Sequence, residues 1–432
     1  MRAPPLYYLY VAATLLLAPF AAWATIRKLR KQGVSALRAH EKMGHASQPR
    51  MGGGQLIWFH AASVGESLSV LALITKMGEM LPRAQFLITS GTPTSAKLVA
   101  DRMPPRTVHQ FAPLDAHGPL SRFLKHWRPD AAVFVESELW PLMLRMTRER
   151  GTPMALVNAR LSAKSRAAWA RHAGLAAYIF EVFDLILTQN DEMAQAMLDM
   201  HAPADRVARG TNLKSLSAPL PTDPAVLAQI RAALKGRPVW VAASTHPGEE
   251  EIVLGAHETL RATHPDLALI LVPRHPDRSA EVAALIRAAK LSCATRSEDA
   301  LPRNGEAVYL ADTLGELGNW YAMTDVVFLG GSLHPIGGHN PFEVVQAEAV
   351  VLSGPHVTSF AETYADMQAR GAAIRVADAA ELARAVADVL DAPAARAQAL
   401  QAADSVVQDQ SNVLGGIASR LIHILNLERD SR

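Results

Sequence analysis

A chain of 432 residues exceeds what one hydrophobic core organises, so two domains with attachments are expected. Its formal charge of +2 gives no electrostatic footprint for nucleic acid, and no basic helix interleaved with aromatics supplies one. The single cysteine, Cys293, excludes an internal disulfide and a cysteine-based metal cluster; it suits a reducing compartment and reads as a small core residue.

In chain order, Leu6 to Ile26 is uncharged over 21 residues, which as a helix spans about 30 Å, one bilayer's hydrocarbon core. Tyr7, Tyr8 and Tyr10 at one end and Trp23 at the other fit interfacial aromatic belts. Arg27, Lys28, Arg30 and Lys31 follow and outweigh Arg2, which predicts an anchor over residues 1–30 that leaves the rest of the chain in the cytoplasm. Ala22-Trp23-Ala24 has the spacing of a signal-peptide cleavage site, but the segment before it carries little charge and the apolar stretch is long for a signal.

Beyond a polar, glycine-rich linker (44–54) the pattern alternates strand and helix. Apolar runs at 56–61, 86–88, 131–135, 154–157 and 185–187 have the form of strands buried on both faces of a parallel sheet. Helical segments near 68–80, 119–126, 141–150 and 192–200 lie between them, predicting a doubly wound α/β domain over 45–215. Pro219, Pro221 and Pro224 mark a linker. The alternation restarts at 239–243, 267–272, 308–311, 326–329 and 350–352, predicting a second such domain over 226–400. Residues 401–432 read as helices only, packing on either domain. Two α/β domains of similar size are expected to face a cleft that holds the ligands.

The stretch Gly330 to Glu343, GGSLHPIGGHNPFE, lies between an apolar run and a helical pattern beginning near Pro341. Glycines there let backbone N–H groups approach an anion at a strand's carboxyl end, which predicts a phosphate or nucleotide seat. Glu66, in HAASVGES after the first strand, is either a charge at a helix start or a general base. Glu136 and Glu138, in ESELWP after the 131–135 strand, either cap the next helix or orient a ligand, and Glu136 stands nearer the strand. Lys214, in GTNLK, and Arg274-His275, in PRHP, bring cations to the same rim. The loop Asp312 to Leu317 adds a third loop there. His334 and His339 lack a third ligand, so no metal is expected. A Walker lysine, a Gly-x-Ser-x-Gly elbow and a dinucleotide glycine fingerprint are all missing.

Taken together, HAASVGE, ESELWP, NARLS (158–162), GTNLK, PRHP and GGHNPFE, in this order, resemble the transferases of 3-deoxy-D-manno-octulosonic acid (Kdo) in lipopolysaccharide synthesis. The resemblance runs from the anchor to the helices after Pro355. It implies an α/β protein of GT-B type at the cytoplasmic face of the inner membrane, with CMP-Kdo as co-substrate, the lipid A precursor lipid IVA as acceptor, and neither cofactor nor metal. It implies Glu66 as proton acceptor, with Glu136 and Lys214 stabilising the transition state. It places CMP-Kdo against Arg274, His275, Gly315, Glu316, Leu317, Ser332, Gly338, Asn340, Pro341, Phe342 and Glu343. Ser215 and Leu216 after Lys214 depart from the aromatic and acid expected there. A two-domain nucleotide-sugar epimerase would share such an architecture without needing an anchor, and a membrane-tethered sensor would need the cleft but not Glu66.

Overall fold

The computed structural model describes residues 2–50, 52–216, 219–302 and 305–427, the side chains of Lys214 and Ser215 excepted. The chain divides into two units, Met1–Ser217 with Asn412–Arg432, and Ala218–Ser411.

The first unit holds a seven-stranded parallel sheet. Its strands are β1 (Leu56–His60), β2 (Gln85–Ser90), β3 (Thr107–Phe111), β4 (Ala131–Val135), β5 (Met154–Ala159), β6 (Leu185–Thr188) and β7 (Val207–Arg209), in the order β3-β2-β1-β4-β5-β6-β7. Side chains alternate between two cores. Leu56, Trp58 and Phe134 enter one, while Ile57, Phe59 and Val133 enter the other, so helices must cover both faces. Each fully buried Phe or Leu of these runs contributes about 1.5–3 kcal/mol relative to exposure.

The second unit repeats the plan with β8 (Val239–Thr245), β9 (Ala268–Pro273), β10 (Cys293–Thr295), β11 (Val308–Leu310), β12 (Val326–Leu329), β13 (Val350–Ser353) and β14 (Ala373–Arg375). These are again all parallel, ordered β10-β11-β9-β8-β12-β13-β14. The C-terminal region, expected as several helices from 401, is one helix from Pro393 to Ile424. Its Ala403 and Val406 complete a core of the second unit. Ile417, Ala418, Leu421 and Ile422 complete a core of the first.

The N-terminal helix runs from Pro5 to Lys31 and is long and apolar enough to cross a membrane. Residues of this helix belong to the folded core of the first unit. Tyr7 packs edge-on against Tyr178 with ring centroids 5.1 Å apart, and Tyr10 donates its hydroxyl to Asp115 Oδ2 at 2.6 Å. Asp115 in turn accepts the N–H groups of Leu142 (3.2 Å) and Met143 (2.6 Å). It thereby caps the helix Pro141–Arg148, whose own N-cap residue, Trp140, has no side-chain cap bond. Burial pushes the Asp115 carboxyl up, so a donor lost there is costly. Tyr10→Phe is expected to cost about 1–2 kcal/mol of first-unit stability. Deleting residues 1–26, which also removes the Tyr7 contact, should cost more. Chemical denaturation of the three proteins in one detergent checks the ranking.

Candidate functional site

In the first sheet, β1 continues to β2 on one side while β4 lies on the other. The carboxyl ends of β1 and β4 therefore form the topological switch point at which open α/β sheets bind ligands. Glu66 stands there, in the first turn of the helix Val64–Met80 that follows β1. Its Oε2 accepts the Ala62 N–H at 2.8 Å and its Oε1 the Ser63 hydroxyl at 2.7 Å, while Ser63 Oγ accepts the Glu66 N–H at 3.3 Å. This reciprocal pair is a variant of the capping box with the Ala62 N–H in place of the N-cap N–H, so the helix-start reading holds. It does not exhaust the residue. Burial pushes the Glu66 carboxyl above the usual range, and the negative charges of Glu138 and Glu136 push the same way, against the bonds from Ser63 and Ala62. A carboxylate with raised proton affinity is suited to accept a proton.

Glu138 is driven the other way. Burial raises its carboxyl, but the hydrogen bond and charge of His60 and the Trp140 N–H bring it below the usual range overall. His60 Nε2 lies 3.1 Å from Glu138 Oε2, and Trp140 Nε1 donates to the same oxygen at 2.6 Å. Behind them Thr89 Oγ1 lies 2.9 Å from His60 Nδ1 and accepts the Trp58 indole N–H at 2.8 Å. The His60 ring thus bridges Glu138 to Thr89. Two acids at one switch point, shifted in opposite directions, is the pattern that separates a proton acceptor from a fixed charge. Sequence reasoning named Glu136 and Glu138 together and preferred Glu136 as the one nearer the strand. The missed signal was His60, whose ring ends the strand beside the ESELW segment.

Glu136 adopts a left-handed backbone, φ +53°, and so does Asn158 at φ +55°. Asn158 Nδ2 donates to Glu136 Oε1 at 3.2 Å, and Asn158 Oδ1 accepts the Leu213 N–H at 3.1 Å. One buried amide thus ties Glu136 to the 3-10 turn Leu213–Leu216 that carries Lys214. The side chain of Lys214 lies outside the described residues.

The switch point of the second sheet lies between β8 and β12, and the glycine-rich stretch follows β12. For Gly331 to Leu333 the anion-seat expectation is corrected. The N–H groups of Ser332 and Leu333 donate to Glu249 Oε1, each at 2.9 Å, and those of Gly331 (2.7 Å) and His246 (3.0 Å) donate to Oε2. The groups reserved for a phosphate hold the protein's own fully buried carboxylate. A Cβ at Gly330 would lie 2.7 Å from Ser244 O and 2.8 Å from that carboxylate, so only glycine fits. Ser332 is engaged throughout. Its hydroxyl donates to Leu329 O at 2.6 Å and accepts the Gly354 N–H at 2.8 Å, so it fixes the loop and offers a ligand nothing. Glu249 was missed by the sequence reading, although three acids directly after Pro247-Gly248 at a strand end were the signal.

Gly338 donates its N–H to Gly331 O at 2.8 Å and closes the loop. The helix expected from Pro341 is a single turn, Phe342–Val345, too short for an appreciable dipole. Asn340 Oδ1, two residues before that turn, accepts the Phe342 N–H at 3.2 Å, and Phe342 is buried in the core. Asn340 and Glu343 keep partly exposed side chains.

Arg274 and His275 are exposed at the carboxyl end of β9. His275 packs edge-on to His246, whose ring stacks on His339 with Nε2 atoms 3.0 Å apart. Burial lowers both stacked rings, His339 to about 4, with Arg274 and His275 adding to the effect. Both are neutral near pH 7, so one donates to the other. After β11, Gly315 takes φ +89° and Leu317 opens a short helix. The Glu316 carboxylate is gripped by Arg296 through two bonds, 2.7 and 3.0 Å, and by Thr313, which lowers it below the usual range. It is a structural ion pair. Among the described residues no group of three His, Cys, Asp or Glu is placed to hold a metal ion.

Comparison with known proteins bears on the family and the fold. The sequence model of the 3-deoxy-D-manno-octulosonic-acid transferases (Kdo transferases) matches residues 37–216. The chain is 32% identical over 394 residues to the 3-deoxy-D-manno-octulosonic acid transferase of Haemophilus influenzae, covering 90% of each chain. It is 34% identical to that of Rickettsia felis, covering 76% of this chain and 70% of the relative. A crystal structure of a glycosyltransferase from Rickettsia africae is similar at TM-score 0.56 and 13% identity, covering 87% of this chain and all (100%) of that one. That likeness bears on the fold alone and is of GT-B type. By these relatives the chain belongs to the 3-deoxy-D-manno-octulosonic acid transferase family, which makes it a glycosyltransferase.

Proposed function

We propose that the protein transfers Kdo from CMP-Kdo to lipid IVA with inversion, releasing CMP, at the cytoplasmic face of the inner membrane and without metal or cofactor. The observation that carries the reading is the acid set of the first unit, with Glu66 raised and Glu138 lowered at one switch point. Glu66 takes the proton from a primary hydroxyl of the acceptor as that oxygen attacks the anomeric carbon of Kdo, and CMP leaves from the opposite face. Glu136, held by Asn158, and Lys214 on the adjoining turn stabilise the charge that develops. CMP is a good leaving group, so the second unit needs to supply positive potential and N–H donors rather than a strong acid. We assign that role to Arg274, His275 and Asn340. The apolar N-terminal helix and its trailing cations support a membrane location.

Incubating the purified protein with CMP-Kdo and lipid IVA, then weighing the lipid by mass spectrometry, tests the reading. A mass gain of one or more Kdo units is expected, and an unchanged lipid with intact donor sinks it. For the donor site, Arg274→Ala is expected to weaken CMP binding by about 1.5–3 kcal/mol through loss of a charge-assisted bond. Asn340→Ala should weaken it less. Calorimetry showing unchanged CMP affinity in both variants would move the nucleotide elsewhere.

A further inference from the structure

The N-terminal helix is apolar all round in sequence, yet its exposure is one-sided. Tyr7 and Leu29 are buried, Ala22 is 6% exposed, and Val11, Thr14 and Ala18 between them are half-buried. These positions recur every three or four residues from one end of the helix to the other, which is one continuous helical stripe. The opposite face is bare, with Leu9 at 66%, Leu16 at 75%, Phe20 at 74% and Trp23 at 64% exposure. The stripe has a partner at both ends. Tyr7, Tyr10 and Val11 pack into the core that holds Leu139, Met143 and Tyr178. Ile26 and Leu29 pack with Ala39, Ala96 and Phe111. About 28 Å of helix separates Tyr10 from Leu29.

That separation nearly equals a bilayer's hydrocarbon thickness, about 30 Å. A helix crossing the bilayer has these two ends on opposite sides, and one polar α/β body could touch both only by putting its own surface into hydrocarbon. We infer that this helix does not cross the membrane but lies in the plane of one leaflet. Its bare face of Leu9, Leu16, Phe20 and Trp23 is immersed among acyl chains, and its small-residue seam is clamped to the first unit. A free interfacial helix needs a polar face toward water. Here the protein covers that face, so an apolar sequence is compatible with lying flat. The exposed cations Arg27, Lys28 and Lys31 sit at the level of anionic headgroups, and Arg27 stacks 5.2 Å over the Trp23 ring. Leu37, 64% exposed on the turn that packs against this helix, extends the apolar surface.

The consequence for the reaction rests on the proposed lipid acceptor. Tyr10 is joined through Asp115 to the start of the Pro141–Arg148 helix, and Trp140 at that start bonds Glu138. A helix fixed in the leaflet therefore sets the height of the Glu66, Glu136 and Glu138 cluster above the bilayer surface. A flexible tether would not.

Sidedness labelling in cells tests this on the full-length chain with Cys293→Ala, carrying Arg2→Cys or Gln32→Cys. In-plane attachment expects both cysteines to react with a membrane-impermeant maleimide in inverted vesicles and neither in spheroplasts. Labelling of the two from opposite sides overturns the inference while leaving membrane attachment and the transferase reading intact. Failure of the protein to float with membranes overturns attachment itself, and the inference with it. A second measurement uses the seam. Ala22→Phe should lower the melting temperature of the detergent-purified protein by about 3 °C or more, whereas Ala13→Phe, on the bare face, should not. Equal melting temperatures for both variants would show that the seam is not packed and overturn the docked helix.

Discussion

Glu66→Gln is expected to reduce turnover by about 10²-fold or more while leaving CMP affinity almost unchanged. The amide keeps the size of the side chain and can still accept the Ala62 N–H or the Ser63 hydroxyl, so the helix start should survive. What it loses is the ability to take a proton. The same assignment fixes the pH dependence. The base works ionised, and burial with two neighbouring carboxylates raises its proton affinity, so acid should suppress turnover at a higher pH than an ordinary glutamate would allow. The acidic limb should vanish from the residual activity of the variant. Removing a neighbouring charge by Glu138→Gln should shift that limb downward, because one cause of the elevation is gone. A pH–rate profile of the three proteins decides it. Near-normal turnover in Glu66→Gln would remove the residue from the reaction.

How much was legible in the sequence depended on burial. Strands buried on both faces announce themselves as uninterrupted apolar runs, and all the interior strands of both sheets were found that way. The missed strands, β3, β7, β10 and β14, are the four sheet edges. β3 reads TVHQF and mixes polar groups into the run, while the other three span only three residues, VAR, CAT and AIR. An edge strand has one neighbour and sacrifices the continuous apolar pattern, so periodicity does not distinguish it from a loop. The candidate site divides along a similar line. Glu66 and Glu136 were visible because strand ends are visible. The left-handed backbone at Glu136 and Asn158, and the bond between them, are long-range facts that no local pattern encodes. The side chains of Ser332, Glu316 and Phe342 carry the motif but serve the loop itself. Each is consumed in holding its own loop, and residue type alone cannot separate a group that binds a ligand from one that shapes the pocket.

Glu249 is the residue on which that shaping depends, and its replacement is expected to have the largest effect on stability. Four backbone N–H groups converge on its two oxygens, from His246 and three consecutive residues of the glycine-rich stretch, with no water-accessible surface at the carboxylate. In Glu249→Gln the volume is unchanged, but one oxygen becomes an NH2 group facing two N–H donors, whichever way the amide turns. Two donors then lose their acceptor and a third polar group is buried against them. At about 1–3 kcal/mol for each buried group left unsatisfied, the loss should be about 4 kcal/mol or more. Glu249→Ala orphans all four donors and opens a cavity, and should be worse. The damage should be local to the second unit, because the carboxylate joins the end of β8 to the loop after β12 and to nothing in the first sheet. Hydrogen exchange should therefore show lost protection at Gly331, Ser332 and Leu333, with the amides of β1 and β4 unaffected. CMP affinity should fall with it, since Asn340 is positioned by the same loop. A Gln variant with full stability and unprotected Gly331 to Leu333 amides already in the parent would show that the carboxylate does not organise the loop.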